Sequence, residues 1–351
     1  PSLSLCRHSR LRHRRNTRGH QRLRDCLRGL SVSDRAERIW VLADDRVGHA
    51  NQAVAVAEAL DAPFDTKRLR YNDLAQLPNA LLGASLDHLT SETRGTLAPP
   101  WPVLVIAAGR RTVPVARALR RKAPGLRCVQ CMWPGVGAAD FDLIALPAHD
   151  RQQDLATVVR TVGAPHRVTR QRLAEAGEMW TPWLDRVPRP RIALLLGGTT
   201  GRRNFAPDDA ELLAAQIRVI GGSIMMTSSR RTPVSVRDIL ASQLRPLHRY
   251  DWSEDGTDNP YLGYLALADT LVVTGDSTGM CTEACASGLP VYIFTAADMI
   301  AGKHRVLHKA LYAAGLARPL ETATKDLYQP DATPLDDATS VARAIRERDL
   351  L

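Results

Sequence analysis

The sequence has no apolar run approaching the ~20 residues needed to span a bilayer, so no membrane-crossing helix is expected. Cysteine is scarce: six in 351 residues, widely scattered. That is too few for a disulfide scaffold, and a chain of this length does not need one; a reducing, cytoplasmic setting is the expectation. Two phosphate-binding signatures are missing. There is no Gly-x-x-x-x-Gly-Lys-Ser/Thr, and no Gly-x-Gly-x-x-Gly follows the first strand. Their absence argues against a nucleoside-triphosphate hydrolase and a nicotinamide dehydrogenase. No dedicated Mg²⁺ site is read from the carboxylates, so a site built from helix ends, with no metal and no cofactor, is expected.

Acid is nearly absent from the first thirty residues. Nine arginines there face a single Asp25, so this stretch carries +8 of the chain's +10 and leaves the body at only +2. A near-neutral body argues against nucleic acid as a partner. Residues 1–37 lack apolar periodicity and are expected to be disordered. Three readings fit them: an organellar targeting segment, a contact for anionic lipid or nucleic acid, and an extension foreign to the native protein.

What is present is an ordinary globular composition, 44% hydrophobic and 24% charged, at a length that suits two domains. From Ile39 onward short apolar runs alternate with helical periodicity. Strands are expected at 39–43, 63–70, 103–107, 126–132, 141–146 and 156–162, with helices at 50–60, 113–122 and 170–180 among them. Three prolines (182, 188 and 190) mark a domain boundary. The alternation then restarts, with strands at 191–196, 223–226, 247–250, 271–273 and 291–294. Helices are expected at 207–220, 234–244, 260–268 and 303–314, and an amphipathic helix at 336–350 suits packing across the junction. The expected organisation is a first α/β domain over 38–185, a second over 190–330 and a crossing helix over 335–351. This is an α/β fold of two Rossmann-like parallel sheets facing a cleft.

Chemistry is sought in the loops after the strands. In the second half Gly197-Gly198-Thr199, Ser228-Ser229-Arg230 and Gly275-Asp276-Ser277 stand at strand ends that open helices. Glycine permits close backbone approach, and helix N-termini with arginine suit a diphosphate. Glu283, inside the helix after Ser277, is a candidate for a ribose diol. In the first half Gly48 and His49 follow the first strand. His49 is a candidate general base toward a hydroxyl, or a plain capping histidine; Asp44 and Asp45 are alternative bases or partners that orient it. Arg110 and Arg111 are candidates for an anionic acceptor, or surface charge. Cys128–Cys131 and Cys281–Cys285 read as core thiols. Trp133, Trp252 and Tyr261 read as packing aromatics or as stacking partners for a base or sugar.

Several of these stretches together carry a resemblance. They are Asp44 to Ala53, Gly109-Arg110-Arg111-Thr112, Phe141 to Asp150, His166-Arg167-Val168-Thr169, Thr227 to Pro233, and Asp258-Asn259-Pro260-Tyr261 through Glu283. From about Ile39 to Leu320 the chain resembles the mitochondrial fission ELM1-like family, which has plant and bacterial members. The second half is also similar to the donor domain of GT-B glycosyltransferases, especially the peptidoglycan N-acetylglucosaminyltransferase, in Asp276 to Glu283 and in Ala286-Ser287-Gly288-Leu289-Pro290. That likeness implies that Glu283 holds the donor ribose, with the Asp276–Ser277 turn against the diphosphate; Asn259 is a further donor-binding candidate. The first half lacks the His-x-Gly-Gly-His loop of that enzyme and keeps only Gly48-His49. The implied function is transfer of a sugar from a nucleotide-sugar to a hydroxyl acceptor, an envelope glycan or lipid, by a protein contacting a membrane surface peripherally. The alternatives are a nucleotide-sugar 2-epimerase and a non-catalytic protein that recruits fission machinery. A dynamin-related partner and a mitochondrial surface location are implied only for a plant-type member.

Overall fold

The structure, a computed structural model, describes residues 39–150, 155–201, 203–253 and 258–351. The expected basic extension over 1–37 lies outside the described residues, as do residues 254–257 of the loop after Tyr250.

The first half folds around β1 (Ile39–Ala43), β2 (Phe64–Arg68), β3 (Leu104–Ala108), β4 (Arg127–Cys131), β5 (Leu143–Pro147) and β6 (Val158–Thr161), all parallel, in the order β2-β1-β3-β4-β5-β6. β1 explains why: Ile39 and Val41 enter one apolar cluster while Trp40 and Leu42 enter the other, so both faces of the strand are buried. Helix α1 (Val47–Ala59) follows β1 and buries Ala53, Val56 and Ala57 on the sheet. It starts at Val47 rather than at Ala50, because the Arg46 carbonyl accepts from the N–H groups of both His49 and Ala50. His49 therefore sits in a helical first turn and not in a free loop. Short helices α2 (Asn79–Leu82) and α3 (Ser91–Thr96) precede β3, and α4 (Val113–Lys122) follows it with Pro114 tolerated in the first turn.

The second sheet has the order β12-β11-β10-β7-β8-β9, again parallel throughout. Its strands are β7 (Arg191–Leu196), β8 (Ser223–Ser228), β9 (His248–Tyr250), β10 (Thr270–Thr274), β11 (Val291–Phe294) and β12 (Arg318–Pro319). They are covered by α5 (Arg170–Leu184), α6 (Pro207–Ile220), α7 (Val234–Leu244), α8 (Tyr261–Leu267), α9 (Thr278–Cys285) and α10 (Gly302–Ala313). Two Rossmann-like sheets facing across a cleft are the GT-B architecture.

The chain crosses between the sheets twice. After β6 it passes to the second core, where Val168, Leu184 and Val187 pack with Ala193 and Leu195. Helix α5 thus covers the second sheet, although it precedes the prolines that suggested the boundary; Pro182 is accommodated inside its last turn. Helix α11 (Asp337–Glu347) returns, placing Val341, Ala342 and Ile345 in the first core beside α1. The crossings are tied together: Asp337 accepts from the N–H groups of Val162 (3.1 Å) and Gly163 (2.7 Å). No helix among the described residues is long and apolar enough to cross a membrane.

Candidate functional site

In an open parallel sheet a crevice forms where successive connections leave in opposite directions. In the first sheet that point lies between β1 and β3, and in the second between β7 and β10. Most of the residues singled out above sit at these two points.

At the first point the Asp44 carboxylate, buried at 5% exposure, lies 2.7 Å from Nδ1 of His49 and 2.9 Å from an Arg111 amino group. Burial pushes the Asp44 carboxyl up, but the His49 hydrogen bond and the Arg111 guanidinium outweigh it and hold the carboxyl below its ordinary value. Arg111 also pairs with Asp45 and stacks on the Tyr71 ring at 4.5 Å. It is therefore held by two carboxylates and an aromatic face. The His49 ring fits only because residue 109 is glycine. A Cβ on Gly109 would lie 2.3 Å from Nδ1 of that ring, and the backbone there has φ +86°, which disfavours any side chain. Arg110 turns away and donates to the carbonyls of Leu77 (2.7 Å) and Ala75 (2.8 Å); it clamps a surface loop and lines neither cavity described below. The acceptor role expected of Arg110 is corrected accordingly.

At the second point the turn after β10 differs from the expected diphosphate seat. Asp276 is buried and faces inward, accepting from Gly198 N–H (2.7 Å) and Thr274 Oγ1 (2.8 Å), with Arg231 at 3.1 Å. Burial leads and raises its carboxyl above the ordinary value, against those three partners. A Cβ on Gly197 would meet the Asp276 carboxylate, and one on Gly198 the Arg231 carbonyl. Gly275 packs on His308. Thr199 donates its N–H to Arg231 and its hydroxyl to Asn204. Gly197, Gly198, Thr199, Gly275 and Asp276 therefore form the joint behind the cleft wall rather than its surface. The helix cap is Ser277, whose side chain accepts from Met280 N–H (3.4 Å). The N–H groups of Thr278 and Gly279 carry no acceptor among the described residues.

Two cavities occupy the space between the domains. The larger, about 830 Å³, is lined from the first domain by Asp45 to His49 and Arg111, and from the second by Thr227 to Arg231, Trp252, Asn259, Tyr261 and Met280. Arg230 is exposed there and has no ion-pair partner among the described residues, so this cavity is predominantly cationic. Ser228 is fixed by Asp251 and by Trp252 N–H, and Ser229 by the Gly197 carbonyl. Just ahead of α8, the Asn259 side-chain oxygen accepts from Tyr261 N–H (3.0 Å). The smaller cavity, about 320 Å³, is bounded by Gly48, His49 and Gln52, by His149 and His166, by Ser277, Thr278, Gly279 and Glu283, and by Lys303. Gly48 and His49 are common to both cavities. Glu283 accepts from the Tyr261 hydroxyl (2.7 Å), and burial raises its carboxyl above the ordinary value.

No cluster of three potential ligands stands ready for a metal ion among the described residues. The sequence does contain one Asp-x-Asp, Asp140-Phe141-Asp142, which the reading of the carboxylates missed. Its acids pair with Arg117, Arg120 and Arg127 and line neither cavity. Cys128, Cys131, Cys281 and Cys285 are buried free thiols; burial raises Cys128 and Cys131 to about 12. Trp133 packs on the first core, whereas Trp252 and Tyr261 line the larger cavity. Reading the sequence passed over Gly109, Tyr71, Gln52, His149 and His166 as site residues. Gly109 carried a signal as a glycine at a strand end before a helix, and Gln52, His149 and His166 lie in stretches that carry the family resemblance; Tyr71 carried none.

The family model described as mitochondrial fission ELM1 matches residues 47–348. An uncharacterized protein of Rickettsia prowazekii is 32% identical over 349 residues, covering 88% of this chain and 97% of that one. The mitochondrial fission protein ELM1 of Arabidopsis thaliana is 28% identical over 295 residues, covering 76% of this chain and 68% of that protein. Among solved structures, the UDP-GlcNAc 2-epimerase of Methanocaldococcus jannaschii superposes with a TM-score of 0.48 at 15% identity, over 88% of this chain and 99% of that one. UGT71G1 of Medicago truncatula, crystallised with UDP-glucose, gives 0.48 at 10% identity, over 88% and 94%.

Proposed function

We propose, from the premise that the chain belongs to the mitochondrial fission ELM1 family, that it binds a nucleotide-sugar between its domains and transfers the sugar to a hydroxyl acceptor. One observation carries this reading: His49, held from behind by Asp44, lines both interdomain cavities. With Nδ1 held by Asp44, Nε2 is the nitrogen left to accept the proton, and the carboxylate stabilises the imidazolium that forms. The acceptor oxygen gives its proton to His49 and bonds to the anomeric carbon. The bond from that carbon to the diphosphate oxygen breaks, and the nucleoside diphosphate leaves with the electron pair. The charge it carries suits the unpaired N–H groups of Thr278 and Gly279 and the arginines of the larger cavity. Glu283, steadied by Tyr261, is the proposed ribose contact.

The Arabidopsis relative is named for mitochondrial fission, which favours a second reading in which the protein recruits partners without catalysis. Thermal shift with UDP, GDP and ADP, followed by assay of diphosphate release from the matching nucleotide-sugars with and without lipid or glycan acceptors, separates the two. The transferase reading expects a nucleotide-dependent rise in melting temperature and acceptor-dependent release. His49→Ala should keep the first and lose the second. No shift with any nucleotide would leave recruitment as the better account, and release without an acceptor would point to an epimerase-like reaction.

A further inference from the structure

The smaller cavity has a feature the transfer reaction does not use. Buried polar atoms in folded proteins nearly always find a partner, because an unmade hydrogen bond leaves the desolvation cost uncompensated. Two side-chain atoms around this one cavity lack any, Oε1 of Gln52 and Nδ1 of His149, while the His166 ring stands near the backbone of Val168 and Leu335. His166 is 5% exposed. Gln52 stands one helical turn after His49, and His149 and His166 follow β5 and β6, so three separate elements of the first domain border one space. Burial lowers both imidazoles below the ordinary histidine value, so they are neutral donors and acceptors rather than fixed cations. The opposite wall is the N-terminus of α9, with Ser277, Thr278 and Gly279.

We propose that Gln52, His149 and His166 form the subsite that reads the hydroxyl groups of the transferred sugar. This rests on the nucleotide-sugar reading above and names the part of that ligand the first domain recognises. Asp150 and Lys303 border the same cavity with opposite charges, and the neutral Gln52, His149 and His166 between them suit a polyhydroxyl group better than a second phosphate. Gln52 Oε1 requires a donor, which a sugar hydroxyl or an acylamino N–H supplies. The outer torsion of an imidazole is soft, so each ring can turn a nitrogen toward the cavity when a ligand enters. The sugar would then lie beside His49, at the end of the diphosphate held by α9.

The test compares nucleoside diphosphates with their sugar conjugates by titration calorimetry: UDP against UDP-glucose and UDP-N-acetylglucosamine, and GDP against GDP-mannose. One conjugate is expected to bind on the order of 10-fold more tightly than its parent diphosphate, as two or three neutral hydrogen bonds would give. Gln52→Met and His149→Phe should each remove most of that difference while leaving diphosphate affinity within about 2-fold, which also shows that the variants are folded. If a diphosphate binds but no conjugate binds more tightly, or if both variants keep the full difference, the subsite is overturned while the nucleotide reading stands. Failure of every diphosphate to bind overturns both.

Discussion

Replacing Asp44 with Asn tests the candidate site at its most constrained atom pair. Asp44 presents one oxygen to His49 (2.7 Å) and the other to Arg111 (2.9 Å). An Asn side chain of the same shape has one oxygen and one NH₂. Arg111 has only donors, so the amide oxygen must face it, which turns the NH₂ toward His49 Nδ1. His49 Nδ1 then has to accept, and the ring proton moves to Nε2, the nitrogen that should take the proton from the acceptor. The geometry survives while the tautomer is wrong. General-base catalysis contributes ~10²–10⁴ in rate, and the equivalent change in a serine-protease triad costs ~10⁴. Loss of kcat on the order of 10³–10⁴, or about 4–5.5 kcal/mol of transition-state stabilisation, is expected with KM and nucleotide affinity nearly unchanged. The assay is release of nucleoside diphosphate under saturating donor. ¹⁵N imidazole shifts of His49 check the tautomer independently of turnover. Full activity, or an unchanged Nδ1–H tautomer in Asp44→Asn, would refute the reasoning.

Gly109→Ala should displace His49 without touching the second domain, because the new Cβ clashes with the imidazole and the backbone is at φ +86°. With ψ 166° the backbone lies in a region that is essentially glycine-only and alone costs about 1–3 kcal/mol; transfer should fall at least 10-fold while the nucleotide-induced rise in melting temperature persists, and unchanged transfer would count against the His49 placement. Asp337 offers a pH test. Burial raises its carboxyl from 3.8 to about 6, against the opposing N–H groups of Gly163 and Val162. A carboxyl raised in the folded state contributes fully below its unfolded value and loses that contribution as pH climbs through about 6. Between about pH 4 and pH 7 the wild type should lose on the order of 3 kcal/mol relative to Asp337→Asn, at ~1.4 kcal/mol per unit. Urea unfolding at a series of pH values measures it, and parallel stability curves for the two proteins would rule out the assignment.

The fold was legible because both sheets are parallel and doubly covered. Runs such as Val103–Ala107 and Arg191–Leu196 have no alternative but a buried strand, and the helices at 207–220 and 234–244 end where their apolar periodicity ends. The first switch point was legible in part, since His49 and its acidic neighbours stand directly after a strand. What sequence could not supply is direction. Arg110 and Arg111 are neighbours with equal claims, yet one clamps backbone carbonyls and the other joins Asp44. Asp276 and Ser277 are equally good caps, yet the carboxylate turns inward to hold Gly198 and the hydroxyl takes the cap. The boundary was misplaced for a similar reason. Prolines mark where backbone hydrogen bonding is interrupted, whereas the partner of α5 is decided by its apolar side chains, which meet α8.

The double crossing bears on the order in which the molecule can assemble. The second core is drawn from one continuous stretch of chain, so it can close on local contacts. The first is not complete until residues 337–347 have been synthesised, nearly three hundred positions after the α1 they cover. Contacts so distant in sequence form late, since the intervening loop must lose its entropy first. Arg346, which reaches the carbonyls of Ala59 and Leu60 at the far end of α1, is among the last groups to arrive. The helix bearing His49 is therefore the part of the cleft fixed last during biosynthesis. Until α11 docks, the helix that carries His49 lacks one of its packing partners.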